Sequence, residues 1–420
     1  MTQASTKNGW KTTPLNDFAE IVKDAWKPGD AAQNYIGLEH INAGKLTLNG
    51  IGLSADLESN KFKFQSGDIL FGKLRPYFRK VVMPSFDGIC STDIWVLRAK
   101  ENYDQGYLFY FMANPVLIDK SMGASTGSRM PRADWNYLKN TTWEVPLFNE
   151  QHAIAKILSC LDDKAHLLQR QNETLERVAQ EFFHEWFIEF NFPNAEGKPY
   201  RKHSGSMTEG IAGDIPTEWT SKSLFEVADY INGSAFKDSD FCSKKVGLPV
   251  VRIAELKQGF SSQTNYTEKE LASKYYIQNE DILFSWSGSP ETSIDIFIWD
   301  KGNAILNQHI FKVVAKDADL KTWVYFLLKH LKPFFIHRAK QKQTTGLGHV
   351  TVKDLKQHYI PFPSKETIEK FNSVATPLFQ KIVHNLHQMQ TLSVIRDSLL
   401  PRLMDGTLEL QHINSTTYGK

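Results

Sequence analysis

Three cysteines in 420 residues, at positions 90, 160 and 242, are too few and too scattered for a disulfide framework or a zinc site. That usage suits a reducing compartment, and the cytoplasm is the expectation. Long apolar runs are missing too: no stretch approaches the ~18 consecutive apolar residues of a membrane span. The first residues, MTQASTKNGWKTTP, contain no apolar core such as a signal peptide needs. Charge of one sign is also absent. With 49 Lys and Arg against 47 Asp and Glu the formal net charge is +2, so a nucleic acid would have to be met by local clusters.

Catalytic signatures are missing in the same way. There is no GxxxxGK[ST] phosphate loop, no GxGxxG after a strand, no HExxH and no GxSxG. An Asn-Pro-Pro-aromatic stretch of the amino-methyltransferase kind is absent as well. These gaps count against a self-contained DNA methyltransferase or nuclease. What the chain does have is the composition of folded domains, 41% hydrophobic and 12% aromatic, and more length than one core usually holds.

The chain also repeats itself. GDILFGKLRPYFRK (67–80) shares its Asp-Ile-Leu-Phe core with EDILFSWSGSPE (280–291), and beyond that core the two diverge. WKTTPL at Trp10 answers WTSKSL at Trp219, and YIGLEHI (35–41) answers VVRIAEL (250–256). STDIWVL (91–97) matches NQHIFKV (307–313), and GYLFYFM (106–112) matches TWVYFLL (322–328). A Gly-containing loop, a strand ending in proline and a long helical pattern close each half. The separations drift between about 209 and about 220 residues, so small insertions sit on one duplicated framework.

The helical patterns run at heptad spacing. The first seam is Ile154, Leu161, Leu168, Leu175 and Phe182; the second is Phe371, Leu378, Asn385, Leu392 and Leu399. Val178, Val374 and Ile395 fill out the stripes, and Asn385 is a polar residue on the seam, of the kind that fixes register. Glu150 to Glu189 as one helix would span about 60 Å. Pro377 predicts a break, with Thr376 as N-cap, and Pro401 an end or kink. The segment 190–219, rich in Gly, Pro and Ser, reads as an extended connector.

Cationic and polar loops recur at matching points of the two halves. The candidates for DNA contact are Lys73, Arg75, Arg79, Lys80, Ser125, Thr126, Ser128, Arg129 and Arg132 in the first. In the second they are Ser285, Trp286, Ser287, Lys340, Lys342, Gln343, Thr344 and His349. Lys and Arg suit phosphates and guanine edges, and Gln, Ser and Thr suit base edges. Each could equally be a solvated surface residue, and Trp286 a packing residue. Asp68 and Asp281 are expected to serve their turns, since phosphate repels a carboxylate. A coiled-coil assembly protein without a nucleic-acid role is the remaining alternative.

Four stretches resemble the specificity subunit of type I restriction–modification enzymes. They are EQHAIAKILSCLDDKAHLLQRQ (150–171), EFFHEWFIEFNFPNAEGKPYRKHSG (181–205), IPTEW (215–219) and RDSLLPRLMDGTLEL (396–410). The start of the second helix, IEKFNSVATPLF, departs from the Glu-Gln-x-x-Ile-Ala pattern at 150–155. The resemblance implies an α+β chain with two mixed α/β target recognition domains, residues 1–149 and 210–364. Spacer helices at 150–189 and 365–408 would pack as an antiparallel coiled coil, with a connector at 190–209 and a flexible tail at 409–420. It implies partners: double-stranded DNA carrying a split, asymmetric site, two methyltransferase subunits and restriction subunits. It also implies a chain that is not itself catalytic and binds no cofactor, S-adenosylmethionine, ATP and magnesium belonging to those partners.

Overall fold

The computed structural model describes residues 9–55, 57–123, 130–203, 205–211, 213–243, 245–261, 263–343, 347–408 and 410. Its contacts divide the chain into two units, 1–165 with 391–420, and 166–390. The repeated Asp-Ile-Leu-Phe segments supply an interior strand of a four-stranded sheet in each. Ile69–Gly72 and Ile282–Ser285 are buried at every position, without alternation, because both faces of these strands are covered. The carboxylate before each strand makes the turn. Asp68 accepts the Gln65 N–H at 2.7 Å, and Asp281 accepts the Gln278 N–H at 2.8 Å.

Register shows the duplication residue by residue. In unit 1 the sheet order is Ala19–Val22, Ile94–Ala99, Ile69–Gly72, Val81–Val82; in unit 2 it is Ala228–Asn232, Ile310–Ala315, Ile282–Ser285, Asp295–Ile298. Leu97 faces Ile69 as Val313 faces Ile282. A second sheet in each unit holds one parallel pair, Tyr35 beside Ile89 and Val250 beside Ile305. Each unit then has two consecutive helices, Gln105–Ala113 and Pro115–Gly123 in the first, Lys321–His330 and Lys332–Gln341 in the second. Thus both units are mixed α/β, and the chain is α+β.

Two helices of 40 residues complete the architecture, Phe148–Phe187 and Lys365–Met404. In unit 1, Ile154 and Leu158 share a core with Leu400, Leu403 and Met404. In unit 2, Ala179, Phe183 and Phe187 share one with Ile368, Phe371, Ala375 and Phe379. Asn172 meets Asn385 while Phe187 meets Phe371, so the helices run antiparallel there.

The seam differs from the heptad expectation at its far end. Phe182 is 38% exposed, and Phe183, fully buried, takes its place. A strict seven-residue repeat lags an α-helix by about 20° per heptad, so four heptads carry position 182 off the buried face. Val178, Val374 and Ile395 are likewise exposed, while Leu161, Leu175, Leu378, Leu392 and Leu399 are half-buried at its edges.

Neither proline breaks the second helix. Pro377 and Pro401 both lie within Lys365–Met404, and the N-terminal cap is Ser364, whose Oγ accepts the Thr367 N–H at 3.3 Å. Proline inside a helix costs about 3 kcal/mol. Buried neighbours on both sides, Ala375 and Phe379, then Leu400 and Leu403, hold the helix in place.

The connector is not extended. Phe190 and Phe192 are buried, with Phe192 stacked on Tyr200 at 4.7 Å and on Trp219 at 5.1 Å. Asn194 closes a turn by accepting the Glu196 and Lys198 N–H groups. Met207–Gly210 then pairs with Gly213–Pro216 as a hairpin. The aromatic residues outweigh the Gly and Pro content, because their burial needs the segment folded back.

Because the buried face passes through Phe183 and not Phe182, the two rings should differ in what they contribute. Phe183→Ala should cost unit 2 about 3–5 kcal/mol, and Phe182→Ala about 0.5 kcal/mol or less, as read by denaturant unfolding. Equal costs would return the seam to heptad spacing.

Candidate nucleic-acid interface

Beyond the central strand of unit 1, the chain enters a frame made of backbone hydrogen bonds. The Lys73 N–H donates to the Asp93 carbonyl at 2.9 Å, and the Lys73 carbonyl accepts the Ala133 N–H at 2.8 Å. The Arg75 N–H donates to the Pro131 carbonyl at 2.8 Å, and Leu74 bridges Arg132. Unit 2 repeats the frame. The Trp286 N–H donates to the His309 carbonyl at 3.4 Å, the Val350 N–H to the Trp286 carbonyl at 2.9 Å, and Ser287 and Gly288 pair with His349 and Gly348. Arg75 and Gly288 occupy the same station, and both have positive φ, 52° and 118°. Downstream, Asp134 and Thr351 each cap a short helix, whose Leu138 and Leu355 are fully buried.

The side chains on the two frames differ in kind. Unit 1 carries Lys73, Arg75 and Arg132, the last 59% exposed and 3.3 Å from Asp93. Among the described residues, the Lys73 and Arg75 side chains have no ion pair or hydrogen bond. Unit 2 carries Trp286, Ser287, His349 and exposed His309, with Gln308 3.3 Å from the His309 ring. Trp286 packs on Phe311 at 5.5 Å, and its indole N–H donates to Asn232 at 3.1 Å. One frame therefore offers lysine and arginine side chains in point and fork geometry; the other offers an indole edge, a hydroxyl, an amide and imidazoles.

A family model described as the type I restriction modification DNA specificity domain matches residues 7–177 and again 216–394. The chain belongs to that family. Two matches along one chain coincide with the two frames. The type I restriction enzyme MjaIX specificity subunit of Methanocaldococcus jannaschii is 29% identical over 321 residues, 75% of this chain and 71% of that one. The HindI specificity subunit of Haemophilus influenzae is 22% identical over 467 residues, covering 95% of this chain and 99% of its own. The crystal structure of a type I restriction–modification S subunit from M. genitalium shares the fold, with a TM-score of 0.50 at 16% identity over 96% of this chain and 99% of that one.

Several sequence candidates in this specificity-domain chain turn inward. Ser285 is fully buried on the central strand, where both faces are covered, so it has no surface to offer DNA. The Arg79 guanidinium donates to the Ala113 carbonyl at 3.2 Å, and burial pulls its pKa down. Lys80 donates to the Leu38 carbonyl at 2.5 Å, and burial lowers its pKa as well. Lys342 is bound to Asp354 at 2.5 Å, fastening the end of one helix to the start of the next. Burial corrects the expectation that Ser285 contacts DNA, and Arg79, Lys80 and Lys342, expected to contact DNA, each have a partner within the fold. Trp286 combines packing with a half-exposed edge. Lys340 pairs with Glu291 on the exposed surface, Gln343 is exposed, and His349 is half-buried in the frame. Ser125, Thr126, Ser128, Arg129 and Thr344 lie outside the described residues.

Asp93, His309, Gln308 and Asn232 escaped the sequence reading. Its alignment of STDIWVL with NQHIFKV already set Asp93 against His309, but only the frame shows that both supply its floor. Among the described residues, no group of three or more His, Cys, Asp or Glu could hold a metal, and no helix is long and apolar enough to cross a membrane.

The positive-φ station can be tested. A Cβ on Gly288 would lie 2.7 Å from the Ser293 side chain, at a φ of 118° that L residues rarely adopt. Gly288→Ala should therefore destabilise unit 2 by about 1–3 kcal/mol, measured by chemical denaturation. Arg75→Gly, which removes strain, should leave stability within about 1 kcal/mol.

Proposed function

We propose that this chain is the DNA-reading subunit of a type I restriction–modification assembly, with each unit reading one half of a split site. The observation that carries this reading is the duplicated frame: one backbone geometry presents two different side-chain sets, which is what two different half-sites require. Phosphate contacts would set the register of each unit on the duplex, and the groups on the frame would read base edges. Lys73, Arg75 and Arg132 suit phosphates or guanine; His309, His349, Gln308 and Ser287 suit neutral base edges. A fixed spacing between the half-sites is part of this proposal.

The chemistry belongs to other chains in this reading. Methyltransferase subunits would transfer a methyl group from S-adenosylmethionine to adenine N6, and restriction subunits would cut using ATP and magnesium. Mapping methylated adenines in cells that carry this chain with its methyltransferase partner should return one interrupted motif. A contiguous motif would sink the two-reader scheme.

Salt dependence tests the cationic frame. In the assembled methyltransferase, Lys73→Ala with Arg75→Ala should weaken DNA binding and flatten the log–log salt slope by about 0.9 for each phosphate no longer neutralised. An unchanged slope removes both residues from the phosphate contacts.

A further inference from the structure

Unit 1 contains a largely buried charged network that joins the two long helices and extends to the first loop. Arg396, near the end of the second long helix, is only 3% exposed. Its Nη1 donates to Asp162 Oδ1 at 2.8 Å, and the Tyr110 hydroxyl donates to the other oxygen of Asp162 at 2.8 Å. Its Nε and Nη2 donate to Asp397 at 3.2 and 3.0 Å, and Nη2 also reaches the Gly44 carbonyl at 3.2 Å. Asp397 in turn lies 3.6 Å from Arg79, a residue near the end of the cationic loop 73–80.

Arg79 needs holding. Its φ is 49°, a left-handed conformation that costs a non-glycine residue free energy. Its guanidinium is mostly buried, with Asp397 as its only ion-pair partner among the described residues. The Arg79 carbonyl accepts the Gly44 N–H at 3.3 Å, so the network returns to the same residue through the backbone. Arg396 thus hydrogen-bonds the segment behind the loop, while Asp397, 43% exposed, meets the loop through the ion pair to Arg79 Nη2, an atom that makes no hydrogen bond among the described residues.

Unit 2 has an apolar core at the matching place. By the repeat, Asp162 corresponds to Phe379, Arg396 to Ala179 and Tyr110 to Phe326. All three counterparts are buried in one cluster, with the two phenylalanine rings 6.5 Å apart. Unit 2 places its charges elsewhere: Tyr325 donates to Glu176 of the first long helix at 2.7 Å, and Glu176 pairs with Lys329 at 3.0 Å. At these matched positions the charges occur only in the unit whose frame carries Lys73 and Arg75.

We propose that Asp397 and Arg396 position the first reading loop: the end of the second long helix, encoded over 300 residues downstream of the loop, fixes the geometry with which residues 73–80 meet their half-site. Both act through Arg79, as positioning residues. The inference rests on the DNA-reading assignment for its functional half only; the anchoring itself is a property of the free chain.

The test has two arms. In the full chain without DNA, Asp397→Ala should speed amide exchange about tenfold at Phe78, Arg79 and Gly44, whose N–H groups donate within this loop and its support. The Trp286 and Val350 amides should keep their rates, and Asp397→Glu should stay near the wild type. Unchanged rates at those three amides, or equal acceleration in both units, overturn the anchor. In the assembled methyltransferase, Asp397→Ala should lose about tenfold in discrimination at one half-site and none at the other. Full retention at both half-sites overturns the positioning role. A wild-type assembly with no DNA sequence preference would reject the proposed function instead, and the exchange arm would still decide the anchor.

Discussion

Two backbone hydrogen bonds carry the recognition frames: Ala133 N–H to the Lys73 carbonyl, and Val350 N–H to the Trp286 carbonyl. Because main-chain groups make them, they place no demand on the side chains they position. A buried backbone group left without a partner costs on the order of 1–3 kcal/mol, so the frame is retained as long as the chain folds. That separates shape from content. Lys73 can stand where Trp286 stands in the other unit, and Asp93 where His309 stands, with the same chain path beneath them. The proposed reading of a split site calls for this, since two half-sites would differ in bases while the duplex that carries them keeps one geometry.

The long helices obey a different logic, in which side chains decide. In unit 2, Asn385 is fully buried on the seam, and its amide donates to Gln171 at 2.9 Å and to Asn172 at 2.8 Å. Asn172 also donates to the Ile382 carbonyl at 3.2 Å. Apolar contacts alone would tolerate a slip of the helices along one another. A buried amide tolerates it less: here Nδ2 is paired twice and Oδ1 alone has no partner among the described residues, and a slip would strand the donor as well. The polar cluster in unit 2 and the charged network in unit 1 therefore do comparable jobs by different chemistry. Each makes one alignment of the helix pair better than its neighbours.

Much of this was legible in the sequence because order survives duplication better than identity does. The pairing of STDIWVL with NQHIFKV agrees with the strand register at Leu97 and Val313. Asp68 and Asp281 make the turns their positions suggested. Three readings failed, for physical reasons. The heptad count ran past the point where a 3.6-residue helix leaves a 3.5-residue pattern, so it named Phe182 where Phe183 is buried. Local propensity argued for a break at Pro377, but core burial on both sides overrides it. Composition made the 190–219 segment look loose, while four aromatic rings, Phe190, Phe192, Tyr200 and Trp219, tie it down.

The candidate site was legible as a place and poorly legible as a set of free side chains. Counting cations treats Lys73, Arg75, Arg79 and Lys80 as equals. Folding sorts them into two whose side chains have no partner among the described residues and two that serve the loop's own structure. No sequence signal separates these roles, because the partners of Arg79 and Lys80 are a carbonyl at Ala113, a carbonyl at Leu38 and a carboxylate at Asp397. This division bears on how such a reader changes specificity. Substituting Lys73 or Arg75 alters what the frame presents and leaves its path intact. Substituting Arg79 removes the group through which Asp397 holds the path. The free positions can therefore vary with the sequence to be read, whereas the anchored one is constrained together with a helix far away in the chain.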